Sequence, residues 1–229
     1  MDARIRNRDT AQLDGEMRAK PEGILSLRAI IVLAGGRSSR FGRDKALVDF
    51  GGKPLIAHIV EKLRGVGDEC IVSIGRNGAV EDYRRVLPND ILVVRDTVDF
   101  QGPLAGLDTA LKECKSALCF LGACDMPSIE PRIVQYLFVE SSGCSGAVPR
   151  WRDGRLEPLH AVYDCNTARE AVRRVIDQGV LSMIGLVDCM PRIRFVSVEE
   201  EIAPWNPTLS TFRNLNTPRD LHDVEGANR

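Results

Sequence analysis

The chain alternates between two patterns of hydrophobic and polar positions. Short apolar runs rich in β-branched residues predict buried strands, and apolar residues three or four positions apart predict amphipathic helices. The predicted strands cover about residues 27–33, 70–74, 91–94, 117–121, 146–149, 159–163 and 193–198. The predicted helices cover about residues 55–63, 103–111, 131–139, 167–176, 181–187 and 217–224. This alternation predicts an α/β fold with a mostly parallel sheet covered by helices.

Size and composition narrow the possible classes of protein. A chain of 229 residues suits a single α/β domain, with residues 1–23 predicted to be a flexible leader. The net charge of −1 argues against a nucleic-acid binder, and no apolar stretch is long enough to span a membrane. The seven cysteines form no C-x-x-C pair, which favours reduced thiols in a cytoplasmic protein.

The segment after the first predicted strand concentrates positive charge. Gly35 and Gly36 end the apolar run, and three arginines, Arg40 among them, and Lys45 follow within residues 37–45. Bare backbone amides and cationic donors in one turn predict a polyphosphate site. The segment matches neither the Walker loop nor the dinucleotide fingerprint, so the phosphate site is of another type.

Two aspartates follow predicted strands and so belong to the same predicted edge of the sheet. Asp125 follows the strand at 117–121, where its carboxylate could hold Mg²⁺ against phosphates or could cap the next helix. Asp96 follows the strand at 91–94, where it could accept from the N–H edge of guanine or could cap a turn. Both alternatives remain open for each residue.

Five segments resemble, in order, the motifs of the molybdenum cofactor guanylyltransferase family: residues 33–45, 52–55, 101–106, 124–127 and 214–218. The resemblance spans about residues 28–221. It implies a single Rossmann-like α/β/α domain of three layers, similar to nucleotide-diphospho-sugar transferases, over residues 24–225. The half up to about residue 140 would bind nucleotide, and the half after it would bind the acceptor.

The resemblance also implies an activity, which is transfer of GMP from GTP to a molybdopterin-type cofactor with Mg²⁺ and release of pyrophosphate. Lys45 would contact the phosphates, Asp96 the guanosine, and Asp125 the nucleotide together with the metal. The residues implied to line the nucleotide are Leu33, Ala34, Gly35 and Gly36. Where the family often has an asparagine after the second strand, this chain has Ser73 or the nearby Asn77.

Acceptor binding is assigned by the same resemblance. Asn214 and Asn216 fall where the family has residues important for the pterin substrate, and the segment around His160 resembles one that approaches the acceptor. The family's role also implies transient contact with cofactor-insertion proteins or molybdoenzymes. These four expectations come from the resemblance alone.

The predicted catalysis needs no general base, because a phosphate monoester is already ionised near neutral pH. Arg40, Lys45 and a metal held by Asp125 would position two anions and neutralise their repulsion. The alternatives are a cytidylyltransferase for the same cofactor, a guanylyltransferase for another small phosphorylated acceptor, and a non-catalytic GTP-binding adaptor. Retention of both Lys45 and Asp125 argues against the adaptor.

Overall fold

The computed structural model describes residues 27–35, 44–97, 100, 102–215 and 220. Its strands are β1 Arg28–Leu33, β2 Asp49–Phe50, β3 Lys53–Pro54, β4 Glu69–Ile74, β5 Leu92–Arg95, β6 Leu118–Ala123, β7 Gly146–Arg150, β8 His160–Asp164 and β9 Ile193–Ser197. Its α-helices are α1 Leu55–Leu63, α2 Val80–Arg84, α3 Pro103–Glu113, α4 Pro131–Glu140, α5 Cys165–Asp177 and α6 Met183–Cys189. Short 3₁₀ turns cover Lys45–Leu47 and Ser210–Phe212, and a π-helical turn covers Val198–Ile202.

Seven strands form one sheet in the order β5-β4-β1-β6-β8-β7-β9, and β2 pairs with β3 in a separate hairpin. The strands β5, β4, β1 and β6 are parallel, β8 is antiparallel to β6 and β7, and β7 is parallel to β9. Among the described strands of this sheet, β8 alone therefore runs in the opposite direction. The predicted mostly parallel sheet is confirmed.

Helices cover both faces of the sheet because the buried side chains of β1 alternate between two cores. Ile30 and Val32 pack into the core that contains α1, α2 and α4. Ile31 and Leu33 pack into the core that contains α3, α5 and α6. A strand that is buried on both faces is typical of a parallel sheet with helical crossovers. The predicted three-layer α/β/α architecture is confirmed.

The structure differs from the predicted elements in three short segments. The five-residue helix α2, the β2–β3 hairpin and the π-helical turn were not predicted. The hairpin turns through Gly51 and Gly52, both at positive φ, a conformation that glycine adopts without steric cost. The predicted closing helix at residues 217–224 lies outside the described residues, apart from Asp220. Within the described ranges, no helix is long and apolar enough to cross a lipid bilayer.

Candidate active site

The carboxyl ends of the four parallel strands β5, β4, β1 and β6 meet at one edge of the sheet. Leu33 pairs with Ser73 of β4 on one side and with Ala123 of β6 on the other. The ladder continues past the strand ends, where the Ala34 amide donates to the Ser73 carbonyl at 2.7 Å. In open α/β sheets this edge is where ligands bind.

Backbone hydrogen bonds just beyond the strand ends also fix the positions of Asp96 and Asp125, the two aspartates predicted to lie at this edge of the sheet. The Cys124 amide donates to the Leu33 carbonyl at 2.9 Å, which anchors the residue before Asp125. The Asp96 amide donates to the Ile74 carbonyl at 3.0 Å. Asp96 and Asp125 thus lie on opposite sides of the end of β1.

Gly35 lies where the backbones after β1 and β4 approach most closely. A Cβ atom at Gly35 would lie 2.9 Å from the Gly75 nitrogen and 3.1 Å from its Cα. Both neighbouring atoms are backbone, so a side chain at position 35 could be accommodated only by moving one strand end. The glycine is therefore required for the packing of this turn.

Lys45 and Asp125, 80 positions apart in sequence, form an ion pair at this edge. The Lys45 Nζ lies 3.2 Å from the Asp125 Oδ2, and the two side chains are 15% and 29% exposed. Lys45 Nζ also donates to the Leu215 carbonyl, while the Leu215 amide donates to the Asp125 carbonyl at 2.8 Å. A cation and a carboxylate that solvent can reach are therefore held together at the predicted phosphate site.

The turn that carries Asp125 is held by helix α1. The Pro127 carbonyl accepts from the Lys62 Nζ at 2.9 Å and lies 3.1 Å from the His58 Nε2. These two side chains fix the backbone two residues after Asp125. The carboxylate is thus mounted on a turn with restricted freedom.

The alternative in which Asp125 caps the following helix is wrong. Helix α4 begins at Pro131, and its N-cap is Glu130, whose side chain accepts from the Arg132 amide. The Asp125 carboxylate instead faces Lys45. This leaves the carboxylate available for ligand chemistry at the strand ends.

Asp96 is oriented by Ser73, a residue of the neighbouring strand β4. The Ser73 Oγ donates to the Asp96 Oδ1 at 3.0 Å, and Ser73 is itself buried. Burial raises the pKa of the Asp96 carboxyl, while the Ser73 hydrogen bond acts in the opposite direction. The hydroxyl thus fixes one carboxylate oxygen, so the carboxylate has a defined orientation at the edge of the sheet.

Of the residues predicted to bind the acceptor, Asn214, Asn216 and His160, the structure describes Asn214 and His160, which lie in different environments. Asn214 is exposed and directly precedes Leu215, whose backbone contacts both Lys45 and Asp125. Asn216 lies outside the described residues, as do Gly36 and Arg40 of the loop. Their roles stay predictions.

His160 is fully buried, which differs from the acceptor contact predicted for it. Its ring lies 5.3 Å from the Phe120 ring and 4.8 Å from the Phe212 ring, and its Nε2 lies 3.4 Å from the Thr211 Oγ1. A side chain with 0% exposure presents no surface to an acceptor. His160 lies in the core against Thr211 and Phe212, because both faces of β8 are covered and the first four residues of this strand are all buried.

The burial of His160 predicts an acid-dependent loss of stability. Burial lowers its pKa to about 3, whereas a histidine in the unfolded chain titrates near its ordinary pKa of 6.5. Between these values the unfolded chain binds more protons, so the free energy of unfolding falls as pH decreases, by up to about 1.4 kcal/mol per pH unit. We expect His160→Phe to show a shallower decrease than the wild type in denaturant unfolding between about pH 6.5 and about pH 4.5. Equal slopes for the two proteins would contradict this assignment.

Sequence reasoning missed the contribution of the backbone. The Leu215 amide and carbonyl join Asp125 to Lys45, but a main-chain contact between residues so far apart leaves no signal in a single sequence. The contact of Ser73 with Asp96 involves positions that the sequence did place near strand ends, since Ser73 lies late in the strand predicted at 70–74 and Asp96 follows the strand predicted at 91–94.

A glycine turn, a lysine and a carboxylate lie together at the carboxyl ends of parallel strands, where open α/β sheets bind their ligands. A family model described as the MobA-like NTP transferase domain matches residues 30–188. The chain belongs to this family.

Named relatives extend over most of the chain. A protein from Methanosarcina mazei named "Probable molybdenum cofactor guanylyltransferase" is 38% identical over 206 residues, covering 88% of this chain and 91% of the relative. A protein of the same name from Pyrococcus horikoshii is 34% identical over 195 residues, covering 84% and 96%.

Solved structures agree with the family assignment. The crystal structure of molybdopterin-guanine dinucleotide biosynthesis protein A from Archaeoglobus fulgidus is similar with a TM-score of 0.72 and 26% identity, covering 87% of this chain and 97% of that one. A 2-C-methyl-D-erythritol 4-phosphate cytidylyltransferase from Thermus thermophilus is similar with a TM-score of 0.61 and 16% identity, covering 87% and 98%. The latter likeness demonstrates a shared fold.

Proposed function

We propose that this chain transfers GMP from GTP to a molybdopterin-type molybdenum cofactor, forming the guanine dinucleotide cofactor and releasing pyrophosphate. The observation that carries the proposal is the Lys45–Asp125 pair beside the Gly35 turn, on the ends of neighbouring strands. The names of the relatives support the identity of both substrates.

The nucleophile is a phosphate monoester oxygen of the acceptor, which attacks the α-phosphorus of GTP. A new P–O bond forms there as the bond from the α-phosphorus to the bridging oxygen breaks, and pyrophosphate carries away the bonding electrons. The second pKa of a phosphate monoester is about 6, so the attacking oxygen is ionised near neutral pH and needs no base. Catalysis then depends on alignment of the two substrates and on neutralisation of their charge.

Lys45 is assigned to the triphosphate because its ammonium group lies at the strand ends and is a flexible point charge suited to phosphate. Its contacts to Asp125 and to the Leu215 carbonyl hold it at the edge of the sheet. Arg40 is proposed to add a second cation from the loop, on the strength of its sequence position. Together they offset the charge that develops on the leaving pyrophosphate.

Asp125 is the residue proposed to hold Mg²⁺. The described residues contain no group of three or more His, Cys, Asp or Glu side chains that could hold a metal ion by themselves. One partly exposed carboxylate beside a phosphate site still fits Mg²⁺, which is commonly bound through one or two carboxylates, substrate phosphates and water. When bound, the metal would supply charge neutralisation at the phosphates.

Asp96 is proposed to select the base. A carboxylate only accepts hydrogen bonds, and guanine presents two adjacent N–H donors on one edge. Ser73 fixes the orientation of the Asp96 carboxylate, which supports a directional contact. Asn214 and Asn216 are proposed to contact the pterin part of the acceptor, and the position of Asn214 beside Leu215 supports this.

A cytoplasmic location and transient contact with insertion proteins or molybdoenzymes complete the proposal. The seven cysteines are free thiols, which supports a reducing compartment. The partner contacts rest on the resemblance to the family.

Pyrophosphate release with each nucleoside triphosphate, with and without molybdopterin-type acceptor, tests the proposed function. We expect release that requires both GTP and the acceptor. Release with CTP but not with GTP, in the presence of the acceptor, would favour a cytidylyltransferase. GTP-dependent release with another small phosphorylated acceptor would favour a guanylyltransferase for that acceptor. Nucleotide binding without any release would favour the adaptor.

A further inference from the structure

Tyr83 is a buried aromatic residue to which the proposed function assigns no role. It lies on helix α2 and has 0% exposure. Its hydroxyl oxygen lies 2.8 Å from the Asp44 Oδ2 and 3.3 Å from the Ala34 carbonyl. The phenol therefore contacts residues that lie directly before Gly35 and directly before Lys45.

The phenol acts as a donor in this position. A tyrosine hydroxyl has one proton, and the shorter contact to a charged carboxylate is the stronger hydrogen bond, so the proton points mainly towards Asp44. Burial and the neighbouring Asp44 carboxylate raise the pKa of Tyr83, which keeps the phenol protonated. The longer contact to the Ala34 carbonyl shares the same proton in a bifurcated arrangement.

The Asp44 carboxylate uses its other oxygen to start the turn that carries Lys45. Its Oδ1 accepts from the Ala46 amide at 3.1 Å, and the 3₁₀ turn Lys45–Leu47 follows directly. One carboxylate therefore connects Tyr83 to the backbone that aims the lysine. At the other end, Ala34 is fixed to β4 through its amide and leads into the close contact of Gly35 with Gly75.

We infer that Tyr83 is a positioning residue for nucleotide binding, which sets the separation between the Gly35 turn and Lys45 by bridging Ala34 and Asp44. The inference rests on the proposed function for its link to GTP, whereas the bridge itself depends only on the contacts above. No atom of Tyr83 needs to contact substrate. Its effect passes through Asp44 to Lys45.

The variant Tyr83→Phe removes one oxygen atom and keeps the ring in the core. Because the Asp44 Oδ2 then loses a buried donor, the turn at residues 45–47 is less firmly held. We expect the KM for GTP to rise about tenfold, with kcat reduced less than threefold and the KM for the acceptor unchanged. Hydrogen exchange of the Ala46 and Val48 amides should also become faster.

Tyr163→Phe is the matched control. Tyr163 is also fully buried, and its hydroxyl donates to the Pro158 carbonyl at 2.8 Å, away from Asp44. Loss of this hydrogen bond should lower stability by a similar amount without raising the KM for GTP. Asp44→Asn should reproduce the effect of Tyr83→Phe on the KM for GTP, and the double variant should be no worse than Asp44→Asn alone.

The outcomes separate this inference from the proposed function. If both tyrosine variants raise the KM for GTP equally, Tyr83 has only a structural role and the inference is wrong. If the wild type releases no pyrophosphate from any nucleotide, the proposed function fails, and amide exchange still tests the bridge. Unchanged exchange at Ala46 and Val48 in Tyr83→Phe would overturn the inference in either case.

Discussion

The variant Asp125→Asn should lower kcat/KM for GTP by about a thousandfold, which corresponds to about 4 kcal/mol of transition-state stabilisation. The substitution removes the negative charge that faces Lys45 and that we propose holds Mg²⁺, while keeping the size of the side chain. The fold should persist, because the side chain is partly exposed and the Leu215 amide bonds to the backbone carbonyl of residue 125. Pyrophosphate release under saturating acceptor measures the loss.

Asp90→Asn provides a control for removal of an aspartate charge. Asp90 forms an exposed ion pair with Arg64, 3.8 Å between Oδ2 and Nη2, and precedes β5 at the opposite edge of the sheet. We expect wild-type activity for this variant, since exposed ion pairs contribute little. Wild-type rates for Asp125→Asn, measured over a range of Mg²⁺ concentrations, would remove Asp125 from the mechanism.

The layers of this fold could be predicted from sequence because the three central strands β1, β4 and β6 are mostly apolar and are buried on both faces. Ile30 to Leu33 illustrate this, since consecutive side chains enter opposite cores. The same pattern located the strand ends, and the rule for ligand sites in parallel sheets then pointed to Asp96 and Asp125. Their arrangement on either side of β1 follows from the strand order β5-β4-β1-β6.

The details of the site depend on contacts that no periodicity encodes. The pairing of Lys45 with Asp125 requires the chain to return after 80 positions, and its link to Leu215 uses main-chain atoms. The burial of His160 was not anticipated, because the sequence alone does not show that both faces of β8 are covered. Tyr83 was missed because the helix that carries it has five residues, too few for a helical period to emerge.

The last prediction concerns the cation that is paired with Asp125. Lys45→Met keeps most of the length of the side chain and removes the ammonium group, so we expect kcat/KM for GTP to fall about a hundredfold. Part of this loss reflects the missing charge on the triphosphate, and part reflects the loss of the link to the Leu215 carbonyl. Lys112→Met, which removes an exposed lysine paired with Asp108 on α3, should leave turnover unchanged.

The double variant Lys45→Met/Asp125→Asn distinguishes a shared function from two separate ones. Because the two side chains are in contact, the free-energy losses of the single variants should not add, and the double variant should be little worse than Asp125→Asn. Strict additivity of the two losses would mean that the ion pair is incidental to catalysis. Near wild-type turnover of Lys45→Met would show that the cations needed for the triphosphate come from another part of the chain.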